Sequence, residues 1–530
     1  MSGTAYITTP IYYVNDKPHI GHLYTTTLCD VWARFQRFAG RDVFFLTGTD
    51  EHGLKIEKAA TARGISPQEL VDENAAEFKQ AMKEFGFTHD DFIRTTEQRH
   101  ITRVQALVRG LKDAGVVYLG EFEGWYDEGQ EEYIPENKAK DLGYKSPTSG
   151  RPLVRTKEHN YYFKLSAFQE RMETLLRDQP NFVRPEARRN EVTGRLKEGL
   201  QDVPMSRTSF AWGVPMPDDP EHVIYVWIEA LMNYATALGL GEPDSEAHKL
   251  RGKYWPATYH VVGKEILWFH AVVWPCMLMA LELPLPRSIY SHSFWIREGQ
   301  KMSKSMGNFI DLEAINEYVG RYGRDMWRYY MVTQGPLGAT DANFAAQHFH
   351  DCYNTDLVNT VGNCASRVTA MIGKYFEGIV PTEIVGGTRR VVGGFDWPAV
   401  ARDHVARTSE KLEAFDLAGA AAAALALVRQ VDGFINATEP FKLAREDSKR
   451  DELGAILYQC AEAVRIASLL LWAVMPWKME ELWAALGQRI DPAKPGTQPI
   501  DKLAQWGGMK PGTRVTKVAL FPRLETPVGA

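Results

Sequence analysis

The chain has 530 residues, of which 45% are hydrophobic and 24% are charged, a balance typical of globular proteins with room for several domains. Its formal net charge of −6 excludes a strongly basic protein, so any contact with nucleic acid has to come from local patches. The five cysteines form no Cys-x-x-Cys pair, and no uninterrupted apolar run reaches the length of a membrane span. Because the N-terminus also lacks a signal sequence, we expect a cytoplasmic protein with reduced thiols and no membrane contact.

The N-terminal segment has the pattern of a strand, a turn, a helix and a second strand. The apolar run 6–14 predicts the first strand, apolar residues recur at helical spacing over 28–35, and 43–47 predicts the next strand. Unpaired N–H groups and the helix dipole make the first helical turn a candidate anion site, although an ordinary polar helix start is the alternative. The residues on this turn that can serve a phosphate are His19, Gly21 and His22.

Two further signals follow in the first 115 residues. Ser66 and Glu69 form a capping box with Pro67 at the first helical position, which predicts a helix through Lys83. The strand at 42–46 runs into Thr-Gly-Thr-Asp-Glu-His-Gly, which places Asp50 at the carboxyl end of a predicted parallel strand. Small substrates bind at that end of open parallel sheets, whereas the alternative role for Asp50 is a turn or helix-cap carboxylate.

From about residue 116 to 225 the sequence pattern changes to short predicted strands separated by glycines and charged residues. This change indicates an insertion in the nucleotide fold. Strands at 223–226 and 259–262 are then predicted to resume the parallel sheet, and an almost entirely helical pattern begins near 356 and predicts an antiparallel helix bundle. The predicted divisions are 1–115 for the first half of the catalytic domain, 116–225 for the insertion, 226–300 for its second half, 301–355 for a lysine loop with compact helices, and 356–530 for the bundle.

Lys301-Met302-Ser303-Lys304-Ser305 lies in a glycine-punctuated segment far downstream of the histidines. Two lysines three residues apart can close over a polyphosphate, although such a segment on its own is usually a solvated basic loop. Together, His-Ile-Gly-His and Lys-Met-Ser-Lys-Ser resemble the two signatures of the class I aminoacyl-tRNA synthetases. This resemblance implies an α/β protein with a Rossmann-like parallel-sheet catalytic domain, split by a connective insertion and followed by a C-terminal all-α helix bundle.

Aromatic residues recur on two predicted helices after the insertion. Trp227, Ala230 and Tyr234 share one helical face, and His270 and Trp274 share another, a spacing that more often marks core than pocket. The local motifs I-Y-Y, T-D-E-H-G, V-W-I-E-A and W-F-H-x-x-x-W nevertheless resemble those of the methionyl-tRNA synthetases. That resemblance implies a pocket for L-methionine formed by Ile11, Tyr13, Asp50, Trp227, Ala230, Tyr234, His270 and Trp274. Aromatic edges attract thioether sulfur, and a carboxylate can pair with the substrate ammonium.

The family resemblance also implies the reaction. The carboxylate of methionine attacks the α-phosphate of ATP, and methionine then passes to the terminal ribose of tRNA(Met), including the initiator tRNA. The residues implied as catalytic are His19, His22, Lys301 and Lys304, and Gly21, Gly263 and Glu265 join them in the ATP site. Mg²⁺ is expected to accompany ATP. We expect no binding to DNA.

The predicted helix bundle carries a candidate RNA-reading surface. Asn363 and Arg367 are four residues apart on one helix, away from its apolar stripe, and a solvated helix face is the ordinary interpretation of such a pair. The resemblance implies that they read the anticodon together with an aromatic residue at Phe441. Many members have Trp at that position, so stacking remains possible with a smaller ring here.

No structural zinc is predicted. Many relatives carry metal knuckles built from Cys-x-x-Cys pairs in the connective insertion, but no cysteine occurs here between Cys29 and Cys276. Residues 509–530 leave no room for a further domain, which favours a monomer.

The alternatives are a synthetase-like tRNA-binding protein without catalysis, a small-molecule adenylyltransferase and another class I synthetase. The intact histidines and lysines argue against the first, and the helix bundle argues against the second. The isoleucine, leucine and valine enzymes need a larger editing insertion than the roughly 110 residues available here. The cysteine enzyme needs zinc thiolates that this chain lacks.

Overall fold

The computed structural model describes residues 3–15, 17–128, 132–134, 136–147, 149–297, 299–302, 308–385, 388–389, 391–492, 494 and 498–528. A parallel sheet of seven strands organises the first half of the chain. In chain order its strands are Thr4–Thr8, Tyr12–Tyr13, Asp42–Asp50, Asp91–Arg94, Val183–Arg184, Tyr259–Gly263 and Ile289–His292.

The central strand of this sheet is Thr4–Thr8. It pairs in parallel with Asp42–Asp50 on one side and with Tyr259–Gly263 on the other. Tyr6 and Ile7 are fully buried, because helices cover both faces of an all-parallel sheet. The carboxyl ends of these strands therefore meet at one edge, where ligands of open α/β sheets bind.

The predicted helix after the paired histidines is present as Ile20–Phe38, which we call the histidine helix. The predicted capping box is confirmed as well, since the Ser66 hydroxyl and the Glu69 carboxylate each accept the other's backbone N–H at the start of Pro67–Glu84. The remaining helices of the catalytic half are Leu54–Arg63, Gln98–Asp113, Val226–Leu231, Asn233–Thr236, Glu246–Arg251 and Trp274–Ala280, with 3₁₀ turns at Gly252–Tyr254 and Lys264–Ile266 and a π-helical turn at Phe269–Val273.

The insertion forms a separate antiparallel sheet of four strands. Its strands are Val117–Asp127, Glu132–Ile134, Val154–Phe163 and Val203–Pro204, and its helices are Glu136–Asp141, Leu165–Phe168, Gln169–Asp178 and Glu186–Leu196. Between the last two helices the chain returns to the catalytic sheet, because Val183–Arg184 pairs in parallel with Ile289 and Tyr290. The edge of the catalytic sheet thus comes from within the stretch 116–225.

The prediction that a strand at 223–226 resumes the parallel sheet is wrong. The strand spans Asp219–Ile224 and pairs antiparallel with Ser206–Arg207 and Pro215–Met216 in a small sheet of three strands. An apolar run specifies a buried strand but not the partner it pairs with. Here the antiparallel partners are adjacent in the chain, and short connections favour them over a distant parallel strand. The strand at 259–262 does join the parallel sheet, as predicted.

After the catalytic sheet, three short strands and four helices lead into the helical half of the protein. The strands are Trp295–Arg297, Gln300–Lys301 and Ala342–Phe344, and the helices are Leu312–Tyr322, Arg324–Gln334, Ala346–Cys352 and the π-helical Tyr353–Gly362. The predicted bundle contains the long helices Asn363–Phe376, Trp397–Glu413, Leu417–Thr438, Arg450–Leu471 and Pro476–Ala485, the short helices Pro440–Leu443, Asp447–Lys449 and Ile500–Leu503, and a hairpin of Ile384–Val385 with Thr388–Arg389.

Two described helices have the length and apolar composition that could cross a membrane, one in Leu417–Thr438 and one in Asp447–Leu471. The apolar window of the second is 100% buried inside the protein, and that of the first is 50% buried. Burial in the centre of a helix bundle accounts for this composition, because a helix surrounded by protein is apolar all round.

A single hydrophobic core extends from the histidine helix into the bundle, from Leu28 and Trp32 to Leu425 and Trp472. Arg328 lies inside it with no exposed side-chain surface and forms an ion pair of 2.7 Å with Asp30 on the histidine helix. Its guanidinium also donates to the carbonyls of Ala473 and Val474, each at 3.0 Å. A buried charge is tolerated when it is paired and hydrogen-bonded in this way.

Candidate active site

A cavity of about 380 Å³ opens at the carboxyl edge of the parallel sheet, within the size range of small-molecule sites. It brings together residues from both halves of the catalytic domain and from the predicted methionine and ATP sites. Those lining it are Ile11, Tyr13, His19, Gly21, His22, Asp50, Trp227, Ala230, Tyr234, Gly263, Glu265 and His270.

His19 and His22 cap the helix on which they lie. The His19 Nδ1 accepts the N–H of Gly21 at 3.1 Å, and the His22 Nδ1 accepts the N–H of His19 at 3.2 Å. Since Nδ1 is the acceptor in both rings, the proton of each neutral ring lies on Nε2. The rings stack with centroids 3.7 Å apart.

Burial lowers the pKa of both imidazoles. It lowers the pKa of His19 to about 4, and it lowers the pKa of His22 well below the ordinary value with a further contribution from the His19 charge. Both rings are therefore neutral near pH 7 and present Nε2–H donors. A neutral donor can hydrogen-bond to a phosphate oxygen without having to be protonated first.

The first helical turn differs from the predicted anion site in one respect. The sequence leaves its N–H groups without partners, but the Ile20 N–H donates to the carbonyl of Ile310 at 3.2 Å, and that of Gly21 is taken by His19. The imidazole Nε2–H groups add two further donors for an anion on this turn. Their positions are fixed because the same rings complete the cap.

The segment that follows the lysine motif packs against the histidine helix. His19 forms a bridge with Asp311, and its ring lies 5.0 Å from that of Phe309. The described residues that follow the second signature therefore lie beside the helix that carries the first. Lys301 ends the short strand Gln300–Lys301, and Lys304 lies outside the described residues.

Aromatic side chains form the wall of the cavity opposite the histidines. Trp227 stacks on Phe269 with ring centroids 4.3 Å apart and planes at 6°. The Tyr234 hydroxyl lies 2.8 Å from Nε2 of His270, whose Nδ1–H donates to the carbonyl of Ile266 at 2.9 Å. Burial lowers the pKa of His270 to about 4, so the ring is neutral and its Nε2 accepts from the tyrosine.

Trp274 lies one layer behind this wall and is fully buried. Its ring centroid is 6.1 Å from that of Tyr234, and its indole N–H donates to Nε2 of His260 at 3.3 Å. Trp274 thus supports Tyr234 from the core side. The helical spacing of His270 and Trp274 placed both on one face but did not indicate how deep each lies.

Two carboxylates reach the cavity from the ends of the two strands that flank the central strand. Asp50 ends the strand Asp42–Asp50 and is 8% exposed. Glu265 follows the strand Tyr259–Gly263, and its carboxylate folds back so closely over Gly263 that an added Cβ would collide with its oxygens. Burial raises the pKa of Glu265. A side chain at position 263 would displace this carboxylate.

Sequence reasoning did not identify several lining residues. Lys55 lines the cavity and lies over the Tyr13 ring at 5.3 Å, and Phe269 backs Trp227. His292 is buried at the carboxyl end of Ile289–His292, with its Nε2 2.8 Å from the Thr25 hydroxyl on the histidine helix. Its position at the end of a parallel strand is the signal that could have revealed it.

The predicted RNA-reading residues lie on Asn363–Phe376 and just after Leu417–Thr438, two helices of the bundle. Arg367 bridges to the neighbouring helix, because it donates to Asp432 at 3.0 Å and to Asn436 at 3.1 Å. Asn363 is exposed one turn earlier on the same helix. Phe441 begins the chain's next turn after Leu417–Thr438 and is 44% exposed, which is unusual for a large aromatic ring.

The insertion tip is held by side-chain contacts. The Trp125 indole donates to Glu136 at 2.7 Å, and its ring lies 4.7 Å from that of Tyr144. The guanidinium of Arg207 covers the Tyr126 ring at 4.2 Å. Within the part of the chain that the structure describes, no group of three or more His, Cys, Asp or Glu side chains could hold a metal ion.

A parallel sheet interrupted by an insertion, with the His-Ile-Gly-His helix at its carboxyl edge, defines the class I aminoacyl-tRNA synthetases. Residues 5–142 and 142–369 match the sequence family described as tRNA synthetases class I (M). The chain belongs to this family, the methionyl-tRNA synthetases.

Similar proteins that align over nearly the whole chain are named as methionine–tRNA ligases or methionyl-tRNA synthetases. The methionine–tRNA ligase of Halalkalibacterium halodurans is 42% identical over 98% of this chain and 78% of the relative, and that of Bacillus subtilis is 40% identical over 99% and 78%. The structure of Mycobacterium tuberculosis methionyl-tRNA synthetase in complex with methionyl-adenylate aligns with a TM-score of 0.90 at 35% identity, covering 98% of this chain and 100% of that one.

Proposed function

We propose that this methionine–tRNA ligase activates L-methionine with ATP to methionyl-adenylate and pyrophosphate, and then transfers methionine to the 3′-terminal ribose of tRNA(Met), including the initiator tRNA. The observation that carries the proposal is the single cavity in which neutral imidazole donors face an aromatic wall. The methionyl-adenylate complex of the Mycobacterium tuberculosis relative supports the same substrate pair.

The phosphate end of the cavity belongs to the histidine helix. Nε2–H donors of His19 and His22 would hold the α- and β-phosphates of ATP, and Lys301 and Lys304 would hold the departing pyrophosphate. Phosphoryl-type transfer requires positioning and charge stabilisation rather than covalent help, and fixed donors supply both. Mg²⁺ would accompany ATP through its phosphate oxygens.

The remainder of the ATP molecule fits the strand end at 263–265. The Glu265 carboxylate folds over Gly263 and would accept hydrogen bonds from the ribose hydroxyl groups. Gly21 lets the nucleotide approach the first turn of the histidine helix. A larger residue at either glycine would press on a neighbouring side chain of the site, Glu265 at position 263 and His19 at position 21.

The aromatic end would take methionine. Asp50 would pair with the ammonium group, while Ile11, Tyr13, Ala230 and Trp227 surround the thioether. Tyr234 and His270 would complete the methionine pocket, and Trp274 would contribute from behind Tyr234.

The helical region would read the tRNA. Asn363 and Phe441 are exposed, and Arg367 is partly exposed and paired with Asp432; the three side chains would suit anticodon bases, with stacking on the phenyl ring. We assign 1–115 and 226–300 to the two halves of the catalytic domain and 116–225 to the connective insertion. We assign 301–355 to the lysine loop and stem-contact region, and 356–530 to the anticodon-binding domain.

Methionine-dependent ATP–pyrophosphate exchange tests the proposal directly. Exchange with methionine well above that with leucine or homocysteine, followed by charging of tRNA(Met), is the expected result. Exchange without tRNA charging would indicate a small-molecule adenylyltransferase. Binding of tRNA without exchange would indicate an inactive RNA-binding relative.

Trp227→Ala is expected to weaken methionine binding by about 10- to 100-fold while ATP binding persists, because the variant loses apolar and sulfur–aromatic contacts to the side chain only. The measurement is the KM for each substrate in the exchange reaction, together with Tm. Trp268→Ala is the matched control, since Trp268 is a half-buried tryptophan nearby that is covered by Arg195 outside the cavity. Unchanged methionine KM with a lower Tm would make Trp227 a core residue.

Protein purified without an affinity tag is expected to contain far less than one zinc per chain, because the insertion offers no thiolate ligands. Elemental analysis measures this, and treatment with a chelator followed by return of Mg²⁺ should leave both activity and Tm unchanged. Stoichiometric zinc whose removal abolishes activity would contradict the prediction.

A further inference from the structure

A fully buried carboxylate lies directly behind the cavity. Glu229 is 0% exposed on the helix Val226–Leu231, between the cavity residues Trp227 and Ala230. One of its oxygens lies 2.9 Å from Nδ1 of His52 and the other lies 2.8 Å from Nε2 of His100. Neither histidine lines the cavity, and the site described above makes no use of the three side chains.

The hydrogen bonds account for the burial of this charge. Taking a carboxylate out of water costs several kcal/mol unless donors replace the water, and here each oxygen has one imidazole N–H. Although burial alone would raise the pKa of Glu229, the charges and hydrogen bonds of His52 and His100 hold it below its ordinary value. The Nδ1 of His100 continues the chain of bonds to the Thr236 hydroxyl at 2.8 Å.

This network joins three segments that are far apart in sequence. His52 lies two residues after Asp50, which forms one wall of the cavity. Glu229 lies on the helix that carries Trp227, another residue of the cavity, and His100 belongs to the helix Gln98–Asp113. The bond from His52 ties the Asp50 segment directly to the Trp227 helix, and the bond from His100 holds the carboxylate in place from a third segment.

We propose that Glu229 is a positioning residue that sets the width of the methionine pocket, by holding the Asp50 loop and the Trp227 helix at a fixed separation through His52 and His100. The inference rests on the proposed function, since it concerns the same pocket. It assigns Glu229 no contact with substrate. Its effect should appear in affinity for methionine and in discrimination by side-chain length, and not in the use of ATP.

Reach and charge can be separated at this position. Glu229→Asp keeps the charge but shortens the side chain by one methylene, so that it cannot bridge both histidines. Glu229→Gln keeps the length of the side chain. Its amide oxygen can accept from His52, and its amide N–H can donate to His100 Nε2 when the His100 proton lies on Nδ1, next to Thr236. If Glu229 acts by setting a distance, Glu229→Asp should be the more harmful replacement. If only the negative charge matters, Glu229→Gln should be the more harmful one.

The test is ATP–pyrophosphate exchange with methionine and with ethionine, whose side chain is one methylene longer. Glu229→Asp is expected to raise the KM for methionine about 10-fold, with the KM for ATP within about twofold, and to reduce the kcat/KM preference for methionine over ethionine. Glu229→Gln should stay within about threefold of the wild type. Equal loss in both variants, an unchanged methionine KM, or a parallel rise in both KM values would overturn the inference.

Two further variants keep the result interpretable. Glu462→Asp applies the same change to another fully buried carboxylate, which holds Arg465 far from the cavity, and should lower Tm without moving the KM for methionine. If Glu229→Asp does not fold, Thr236→Val can be used instead, because it removes the hydroxyl that bonds His100. It should raise the KM for methionine about threefold, and Thr236→Ser should restore the wild-type value. No rise in Thr236→Val would overturn the inference. Wild-type exchange with methionine tests the proposed function separately, because it needs none of these variants.

Discussion

His19→Asn is expected to slow methionyl-adenylate formation by about 10²- to 10³-fold and to leave Tm unchanged. The side chain has two separable roles, since Nδ1 caps the helix at Gly21 and Nε2–H is the proposed donor to ATP. Asn is among the best N-cap residues, so its side-chain oxygen can accept the same N–H. The shorter Asn side chain has no donor at the position of the histidine Nε2 and cannot reach the phosphate. Loss of one preorganised donor in a shielded site has an effect of this size.

His19→Ala is the companion variant, because it removes both the cap and the donor. It should lose the same activity and also lower Tm, as the loss of an N-cap costs about 1 kcal/mol. The measurements are the exchange rate at saturating substrates and thermal unfolding. An Asn variant as active as the wild type would show that His19 acts only as a helix cap.

Asp50→Asn is expected to reduce kcat/KM for methionine by about 10²-fold with little change in the KM for ATP. Asp50 is nearly buried at the end of its strand, where an ammonium ion has lost most of its water and depends on the carboxylate. Removing one partner of a buried charge pair costs about 2–5 kcal/mol. The amide keeps the shape of the side chain, so the cavity should be preserved.

Methionine analogues identify the group that Asp50 contacts. Methioninol keeps the ammonium group and lacks the carboxylate, whereas the deaminated acid keeps the carboxylate and lacks the ammonium group. Wild-type protein should bind methioninol more tightly, and Asp50→Asn should lose that preference. If both analogues weaken equally, Asp50 supports the pocket without pairing with the amine.

Much of the catalytic fold could be predicted because local signals and tertiary contacts agree there. The helix Pro67–Glu84 combines an apolar stripe with the predicted capping box, and the histidine helix carries the predicted apolar stripe. The strand pattern located Asp50 at the end of a parallel strand, and Asp50 lines the cavity, as does Gly263, which the family resemblance implied.

The remaining features depend on partners that the sequence does not display. The apolar strand Asp219–Ile224 looks the same whether it pairs parallel or antiparallel. The imidazole Nδ1 caps satisfy N–H groups that a helix start alone leaves open. Trp274 and Tyr234 both follow helical spacing and are both fully buried, but Tyr234 lines the cavity and Trp274 does not. None of these features follows from the periodicity of one segment alone.

The buried Arg328 has a consequence for how this protein can be divided. The guanidinium takes its ion pair from the histidine helix and its carbonyl partners from the turn at Ala473 and Val474, so neither half satisfies it alone. A chain cut near residue 355 would keep the ion pair of Arg328 with Asp30 but remove both carbonyl acceptors of its guanidinium, and it would expose the apolar face that the bundle covers. The helical region is therefore not an independent module. A different bundle joined to this catalytic half would have to supply new acceptors for the Arg328 guanidinium.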